Sequence, residues 1–313
     1  MRAIIYKNYG DPSVLQMAEM APPKPAKDEV LIRVMAAGVN PVEARLRSGE
    51  ARFLLPGGFP RIPGYDVCGI VEACGENCTF SVGTRVLAYL KHIYGGAYAE
   101  FVSCSTKCVA AIPDAMTFEE GAAIPLAAST SLQSLRDHGQ MKTGDEVLVN
   151  GASGGVGAFA VQIAKAYSAS VTGVASGKHE DFVRTLGADD FINYEQQNFV
   201  DMDRWWNLVF DAAGKSSFGE AKRVLTEKGS FVSTEPSLWG LMETLFTWPR
   251  SQKGRIMLAI PRDEDLRELV RLFSAGQLKV TIAHTFPLEE AAQAHTTIEK
   301  GGFCGKLVIR VAN

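Results

Sequence analysis

Glu146-Val147-Leu148-Val149-Asn150-Gly151-Ala152-Ser153-Gly154-Gly155-Val156-Gly157 runs from a short apolar strand into a glycine-rich turn. Behind the turn, Val156, Ala160, Ile163 and Ala164 recur on one face of a helix. Strand, glycine turn and helix in that order are the context a dinucleotide-phosphate site requires. The glycines let the backbone approach a pyrophosphate, and the helix N-terminus offers unpaired N–H groups and partial positive charge. The spacing Gly151-x-x-Gly154-x-x-Gly157 is one residue longer than the usual fingerprint. Gly151, Ser153, Gly154, Gly155, Val156 and Gly157 are therefore candidate cofactor-binding residues.

The next strand, Ser170 to Ala175, decides which dinucleotide. An NAD enzyme usually places Asp or Glu at its end to accept from the ribose 2′-hydroxyl. Here the strand ends Val174-Ala175-Ser176-Gly177-Lys178, without an acid. Ser176 can donate to a 2′-phosphate and Lys178 can balance its charge, which fits NADPH. Glu180 and Asp181 are expected in the first turn of the following helix, where acids suit the helix dipole.

Strands and helices continue to alternate on the C-terminal side. Strands are expected at Asp190 to Tyr194, Leu208 to Ala212 and Gly229 to Ser233, with helices at Glu180 to Leu186 and Ser217 to Leu225. This alternation implies a parallel sheet covered on both faces. Leu238, Leu241, Met242, Leu245 and Phe246 are spaced as one helix face, open between core or subunit-interface packing and the wall of an apolar pocket. A further helix spans Asp263 to Ala275, with Gly276 as its left-handed stop. The chain closes with a helix near Leu288 to Glu299 and a strand from Lys306 to Val311.

On the N-terminal side the pattern is β. Short strands are expected at Ala3 to Tyr6, Val14 to Met17, Glu29 to Val39, Thr84 to Tyr89 and Ala97 to Val102, which suggests a barrel or sandwich. Phe118 to Gln140 reads mainly as helix and separates the two patterns. The fold class is thus α/β, and 313 residues accommodate about two domains.

Composition narrows the function. Lys plus Arg number 32 and Asp plus Glu 35, a near-neutral balance that argues against a dedicated nucleic-acid binder. Hydrophobic residues at 46% and charged residues at 21% are ordinary globular proportions. No apolar run approaches the roughly 18 residues of a membrane span, and no signal-peptide core opens the chain. The six cysteines include no C-x-x-C pair and read as reduced thiols, so a cytoplasmic location is expected.

Taken with further motifs, the chain resembles the medium-chain dehydrogenase/reductase superfamily, and within it the zinc-independent quinone oxidoreductase, or zeta-crystallin-like, branch. The motifs are Ala37-Gly38-Val39-Asn40-Pro41, Arg47-Ser48-Gly49, Pro63-Gly64-Tyr65-Asp66 with Gly69, Gly95-Gly96-Ala97-Tyr98-Ala99-Glu100, Leu186-Gly187-Ala188-Asp189 and Gly305-Lys306. The resemblance implies a GroES-like β-barrel domain from both chain ends (1–120 and 277–313) and a Rossmann NADP-binding domain between them (121–276). It also implies a homodimer, commonly joined through the Rossmann sheets. Where zinc-dependent relatives hold a catalytic metal, this chain has Asn40, Tyr65 and Ala127, none a plausible thiolate or imidazole ligand. The cysteine-rich lobe of a structural zinc is missing. Cys68, Cys74 and Cys78 cluster without a fourth ligand at matching spacing.

By position, the resemblance places Asn40 and Thr130 near the nicotinamide and Tyr194 near the 2′-phosphate. Ala213, Gly214, Phe303 and Lys306 match loops that close over the cofactor. Arg45 stands where several quinone reductases have tyrosine; it is open between a fixed charge in the cleft and a surface residue. The expected activity is NADPH-dependent hydride transfer to a quinone or to the C=C of an α,β-unsaturated carbonyl. Asn40, Tyr65 or Arg45 would stabilise the developing enolate, with Tyr65 or water as proton source. Two other readings stand beside it. One is an alcohol dehydrogenase or aldehyde reductase, disfavoured by the missing metal ligands. The other is an NADPH-binding protein of mainly structural or regulatory role. Pocket shape is expected to depend on loops near Phe53 to Phe59 and Leu238 to Pro249.

Overall fold

A computed structural model of the chain describes residues 1–50, 52, 58–235, 238–247 and 251–312. The N-terminal part contains β1 (Arg2–Ile5), β2 (Gln16–Glu19), β3 (Glu29–Val39), α1 (Pro41–Ser48), β4 (Asp66–Cys74), β5 (Arg85–Tyr89), β6 (Phe101–Ser105) and β7 (Val109–Ala111). α2 (Phe118–Ala123) and α3 (Pro125–Gln133) follow. Next come β8 (Glu146–Asn150), α4 (Gly155–Ala166), β9 (Ser170–Ala175), α5 (Glu180–Thr185), β10 (Asp190–Asn193) and β11 (Trp206–Asp211). They are followed by α6 (Phe218–Ala221), β12 (Leu225–Ser233), α7 (Leu238–Thr247) and β13 (Lys253–Ile256). The chain closes with α8 (Asp263–Ser274), β14 (Ile282–Pro287), α9 (Ala291–Lys300) and β15 (Lys306–Arg310).

β8 lies inside a six-stranded sheet of order β10-β9-β8-β11-β12-β13, every neighbouring pair parallel. Val147, Leu148 and Val149 of β8 are completely buried, as a strand covered on both faces requires. Strand order reverses between β8 and β11, and the crevice beyond the carboxyl ends of such strands is where open α/β sheets bind ligands.

The second sheet has seven strands, β14-β15-β3-β4-β5-β7, with β6 also paired to β3. β15 runs antiparallel to β3, with Leu307 opposite Val39, so the C-terminal strands join the sheet begun near the N-terminus. α2 packs on β3, β4 and β15. One apolar cluster runs from Cys68 and Leu87 of the second sheet through Ile124 and Leu132 to Val147 and Phe210 of the first, tying the two together. The fold is α/β, a GroES-like β domain joined to a Rossmann doubly wound parallel sheet.

Several elements differ from expectation. Val14 closes a short 3-10 turn over Pro12–Val14, and the strand itself starts at Gln16. The strand expected at Ala97 to Val102 begins at Phe101, because the Ala97 N–H donates to the Gly64 carbonyl and Ala99 makes only an isolated bridge to Ala3 of β1. β4, β13, β14 and α1 were not anticipated. Residues 53–57 and 248–250, within the expected pocket loops, lie outside the described residues, as do the side chains of Leu238 and Leu241.

Candidate functional site

Gly151 leaves β8 with φ +85°, a left-handed conformation, and a Cβ there would sit 2.9 Å from Ala213 Cβ. Gly157, in the first turn of α4, admits no side chain, because a Cβ would lie 2.1 Å from the Gly151 carbonyl oxygen. These two glycines bend the chain so that the α4 N-terminus faces a cleft of about 410 Å³. Gly151, Ser153, Gly154, Gly155, Val156 and Gly157 all line it.

Across the cleft stands the segment before β15. Gly154 and Gly305 form a parallel bridge, and the Gly305 N–H donates to the Ser153 carbonyl at 3.1 Å. Phe303 and Lys306 line the same cleft, as does Ala213 from the loop after β11. Gly214 is beside it, with φ +64°, packed against Glu235, but is not part of the lining.

At the end of β9, Ser176 is 5% exposed and its Oγ has no hydrogen-bond partner among the described residues. Lys178 and Tyr194 reach the same end of the cleft. The Tyr194 N–H donates to the Ala175 carbonyl, yet its ring is 60% exposed. Glu180 and Asp181 occupy the first turn of α5, away from the lining, as expected. Two residues here escaped the sequence reading. His179 lines the cleft, and its Nδ1 lies 3.1 Å from Ser153 Oγ. Burial, then Lys178, holds its pKa below the ordinary imidazole value. Glu195 accepts from the Gly177 N–H at 3.4 Å, so one exposed acid does approach this end.

The other end is polar and buried. Lys306 is 4% exposed; its Nζ donates to the Val39 carbonyl at 3.2 Å and to Asn40 Oδ1, and lies 3.6 Å from Asp66 Oδ2. Asn40 Nδ2 spends both hydrogens, on Glu43 Oε1 at 3.0 Å and on Asp66 Oδ2 at 2.9 Å. Asn40 therefore lines the cleft as the holder of Lys306, without a free N–H. The Glu43 carboxylate accepts from four donors: the Asn40 N–H, Asn40 Nδ2, the Tyr65 N–H and the Tyr98 hydroxyl. Behind Tyr98 the network continues through His295 to Arg47 and Glu299.

Burial, then the neighbouring Asp66, pushes Glu43 up from 4.5 to about 7, against the pull of its donors. A raised carboxyl favours the folded state most below its unfolded pKa. That contribution is lost as pH rises from 4.5 toward about 7. Glu43→Gln removes the titrating proton. The variant should therefore lose a decline in unfolding free energy on the order of 1–3 kcal/mol that wild type shows across this window. Denaturant titrations over a pH series measure it, and equal pH slopes in the two proteins would count against it.

Besides Gly214, three expected site residues are not brought into the cleft. The Tyr65 hydroxyl donates to the Ile93 carbonyl, and burial, then Glu43, holds its pKa above the ordinary phenol value. Arg45 makes a paired ion bridge with Glu235 at 3.0 and 3.1 Å, half-exposed, joining α1 to the loop after β12. Thr130 is buried in α3, its hydroxyl donating to the Leu126 carbonyl at 2.7 Å. Among the described residues no three His, Cys, Asp or Glu side chains are grouped to hold a metal.

Comparison with known proteins gives consistent matches. Residues 26–114 match the family described as alcohol dehydrogenase GroES-like domain, and residues 186–309 match that described as zinc-binding dehydrogenase. A quinone-oxidoreductase homolog from spinach, described as chloroplastic, is 33% identical and covers 99% of this chain and 98% of its own. The quinone oxidoreductase structure from Coxiella burnetii superposes with a TM-score of 0.89 at 30% identity over 99% of both chains. An Escherichia coli quinone oxidoreductase complexed with NADPH gives 0.84 at 26% identity, over 99% of this chain and all of that one.

Proposed function

This chain belongs to the quinone oxidoreductase branch of the medium-chain dehydrogenase/reductase superfamily, and we propose that it is an NADPH-dependent, zinc-independent reductase of quinones and α,β-unsaturated carbonyls. Its oxidoreductase character and its use of a nicotinamide cofactor follow from the family. The finer reading rests above all on Ser176 Oγ, a buried hydroxyl without a partner that lines the cleft beside Lys178. A 2′-phosphate would satisfy the first and pair with the second.

The glycine turn and the α4 N-terminus would hold the pyrophosphate. Ser176, Lys178 and the exposed Tyr194 ring would hold the adenosine end. Ala213, Phe303 and Lys306 would close over the rest. When bound, the reduced nicotinamide supplies the hydride. Asn40 and Ala127, at the positions where zinc-dependent relatives ligate metal, line the cleft with an amide and a methyl group, which do not make a zinc site.

Of the three expected enolate donors, Asn40 has committed its amide hydrogens and Tyr65 its hydroxyl, and Arg45 is paired with Glu235 outside the cleft lining. The protein's contribution is then orientation and exclusion of bulk water, with solvent as the source of the proton. Tyr65→Phe should accordingly cost about 1 kcal/mol of stability, through the lost bond to Ile93, and leave turnover nearly unchanged. A turnover collapse with unchanged NADPH affinity would restore Tyr65 as proton donor.

Sheet membership supports the division into 1–120 with 277–313 and 121–276. A homodimer is supported by β13, the last strand of its sheet, beside Leu245, Phe246, Leu258 and Ile260, all more than half exposed. Light scattering should give a dimer mass for wild type and a monomer mass for Leu258→Asp. A wild-type monomer would refute it. A cytoplasmic location is supported by six free thiols. Among the described residues, no helix is long and apolar enough to cross a membrane.

Calorimetric titration of metal-analysed protein with NADPH and NADH tests the cofactor and metal parts together. Tighter NADPH binding without stoichiometric zinc is expected. Preference for NADH, or one zinc per chain, would overturn the corresponding part.

A further inference from the structure

Cys74 ends β4, and Cys78 follows it across the turn that leads toward β5. Their sulfurs are 2.8 Å apart. Both point at one acceptor, the Phe80 carbonyl, at 3.1 Å from Cys74 Sγ and 3.9 Å from Cys78 Sγ. Both residues are half-buried, so a small reagent can reach the pair, whereas Cys68, Cys104 and Cys108 are buried. Neither thiol belongs to the cleft lining or to the buried network behind it.

The turn is held by bonds that do not involve sulfur. The Gly75 N–H donates to the Glu29 carbonyl at 2.9 Å and the Asn77 N–H to the Lys27 carbonyl at 2.8 Å. Asn77 Nδ2 reaches Asp28 Oδ1 at 2.8 Å, and the Cys78 N–H closes the turn on the Gly75 carbonyl at 3.1 Å. The two sulfurs are thus brought together by backbone that is fixed independently. A disulfide, with sulfurs about 2.05 Å apart, requires a further short approach of two sulfurs that already touch.

A metal does not explain the pair. No third Cys, His, Asp or Glu joins it among the described residues. Two sulfurs alone fall short of the four ligands of a structural zinc site.

We propose that Cys74 and Cys78 are a reversible dithiol–disulfide site, oxidised by small-molecule disulfides. In the first step a thiolate of the pair attacks glutathione disulfide, a mixed disulfide forms and one glutathione thiolate leaves. In the second, the other cysteine, deprotonated, attacks the protein-bound sulfur, the Cys74–Cys78 bond forms and the second glutathione thiolate leaves. Two protein thiols are oxidised, one glutathione disulfide is reduced to two glutathiones, and the two protons released by the cysteines end on the leaving thiolates. The loop so closed is short, so the bridge restrains the unfolded chain little, as suits a bond that is made and broken.

The test uses the full chain, reduced and then equilibrated with excess glutathione disulfide, followed by thiol counting and peptide mass spectrometry. The proposal predicts that Cys74 and Cys78 are lost together in one bridged peptide, whatever the half-buried Cys304 does, and that both return on adding excess reduced glutathione. Cys78→Ser should fold, lose the bridge and carry a single glutathione on Cys74. Two thiols that stay free in wild type, or two separate glutathione adducts on Cys74 and Cys78, would overturn it.

Discussion

Lys306→Ala is expected to lower the unfolding free energy by about 3–5 kcal/mol and to abolish nucleotide binding, because it leaves a buried carboxylate without its cation. Asp66 is wholly buried; burial pushes its pKa up, and Lys306 is the first of the groups that hold it down. Its other partners are Asn40 Nδ2 and the Leu126 N–H, at 2.9 and 2.6 Å, neither charged. The lysine stem also shapes the cleft. A Cβ on Gly155 would come within 2.8 Å of Lys306 Cδ, so the methylenes lie directly under the first turn of α4. Lys306→Met keeps most of that stem and removes the charge. If the charge carries the effect, Met should destabilise nearly as much as Ala above the pKa of Asp66. A Met variant within about 1 kcal/mol of wild type would mean that Asp66 is already neutral in the folded protein.

Lys178→Glu should lower the ratio of NADPH to NADH affinity by about ten- to a hundredfold. This corresponds to one charge-assisted hydrogen bond, about 1.5–3 kcal/mol, replaced by repulsion. Nearly all of the change should fall on NADPH, since NADH has nothing at the 2′ position to meet Lys178. Because Lys178 is exposed, the effect should weaken as salt is added. His179 and Glu195 set the background. Burial, then Lys178, lowers the His179 pKa, which favours the uncharged imidazole as a hydrogen-bonding neighbour. Glu195 brings one exposed acid within reach of the Gly177 N–H. An unchanged ratio in the variant would remove Lys178 from the specificity site and leave discrimination to Ser176 and Tyr194.

The Rossmann half was legible because its physics is local. An apolar strand, a glycine turn and an amphipathic helix succeed one another in sequence, and β8 and α4 fall where their pattern puts them. β4 was hidden because Asp66, Gly69 and Glu72 interrupt its apolar alternation, and its place is set by pairing with β3 and β5. β13 is short and polar and β14 breaks its apolar pattern at His284 and Thr285, so partner strands define both. α1 has only a weak apolar face, with Glu43, Arg45 and Arg47 among its 8 residues, yet Asn40 followed by Pro41 and Glu43 is a helix-start signal present in the sequence.

In the site, the glycine turn and most of the loop residues named from the sequence line one cleft, whereas the expected donors already have partners within the fold. A sequence shows that Asn40, Tyr65 and Arg45 carry N–H or O–H groups, but not that Glu43, Asp66, Ile93 and Glu235 already occupy them. Apart from Glu43, in the first turn of α1, those partners lie on β4 and on loops distant in sequence, and their hydrogen bonds are products of the tertiary fold.

NADPH oxidation by the purified, metal-analysed enzyme across a panel of quinones, enones and aldehydes tests the central claim most directly. The account predicts turnover with quinones and enones, retained after treatment with a strong chelator, and little with simple aldehydes. Turnover confined to aldehydes or alcohols and lost on chelation, or none with any acceptor despite tight NADPH binding, would contradict it.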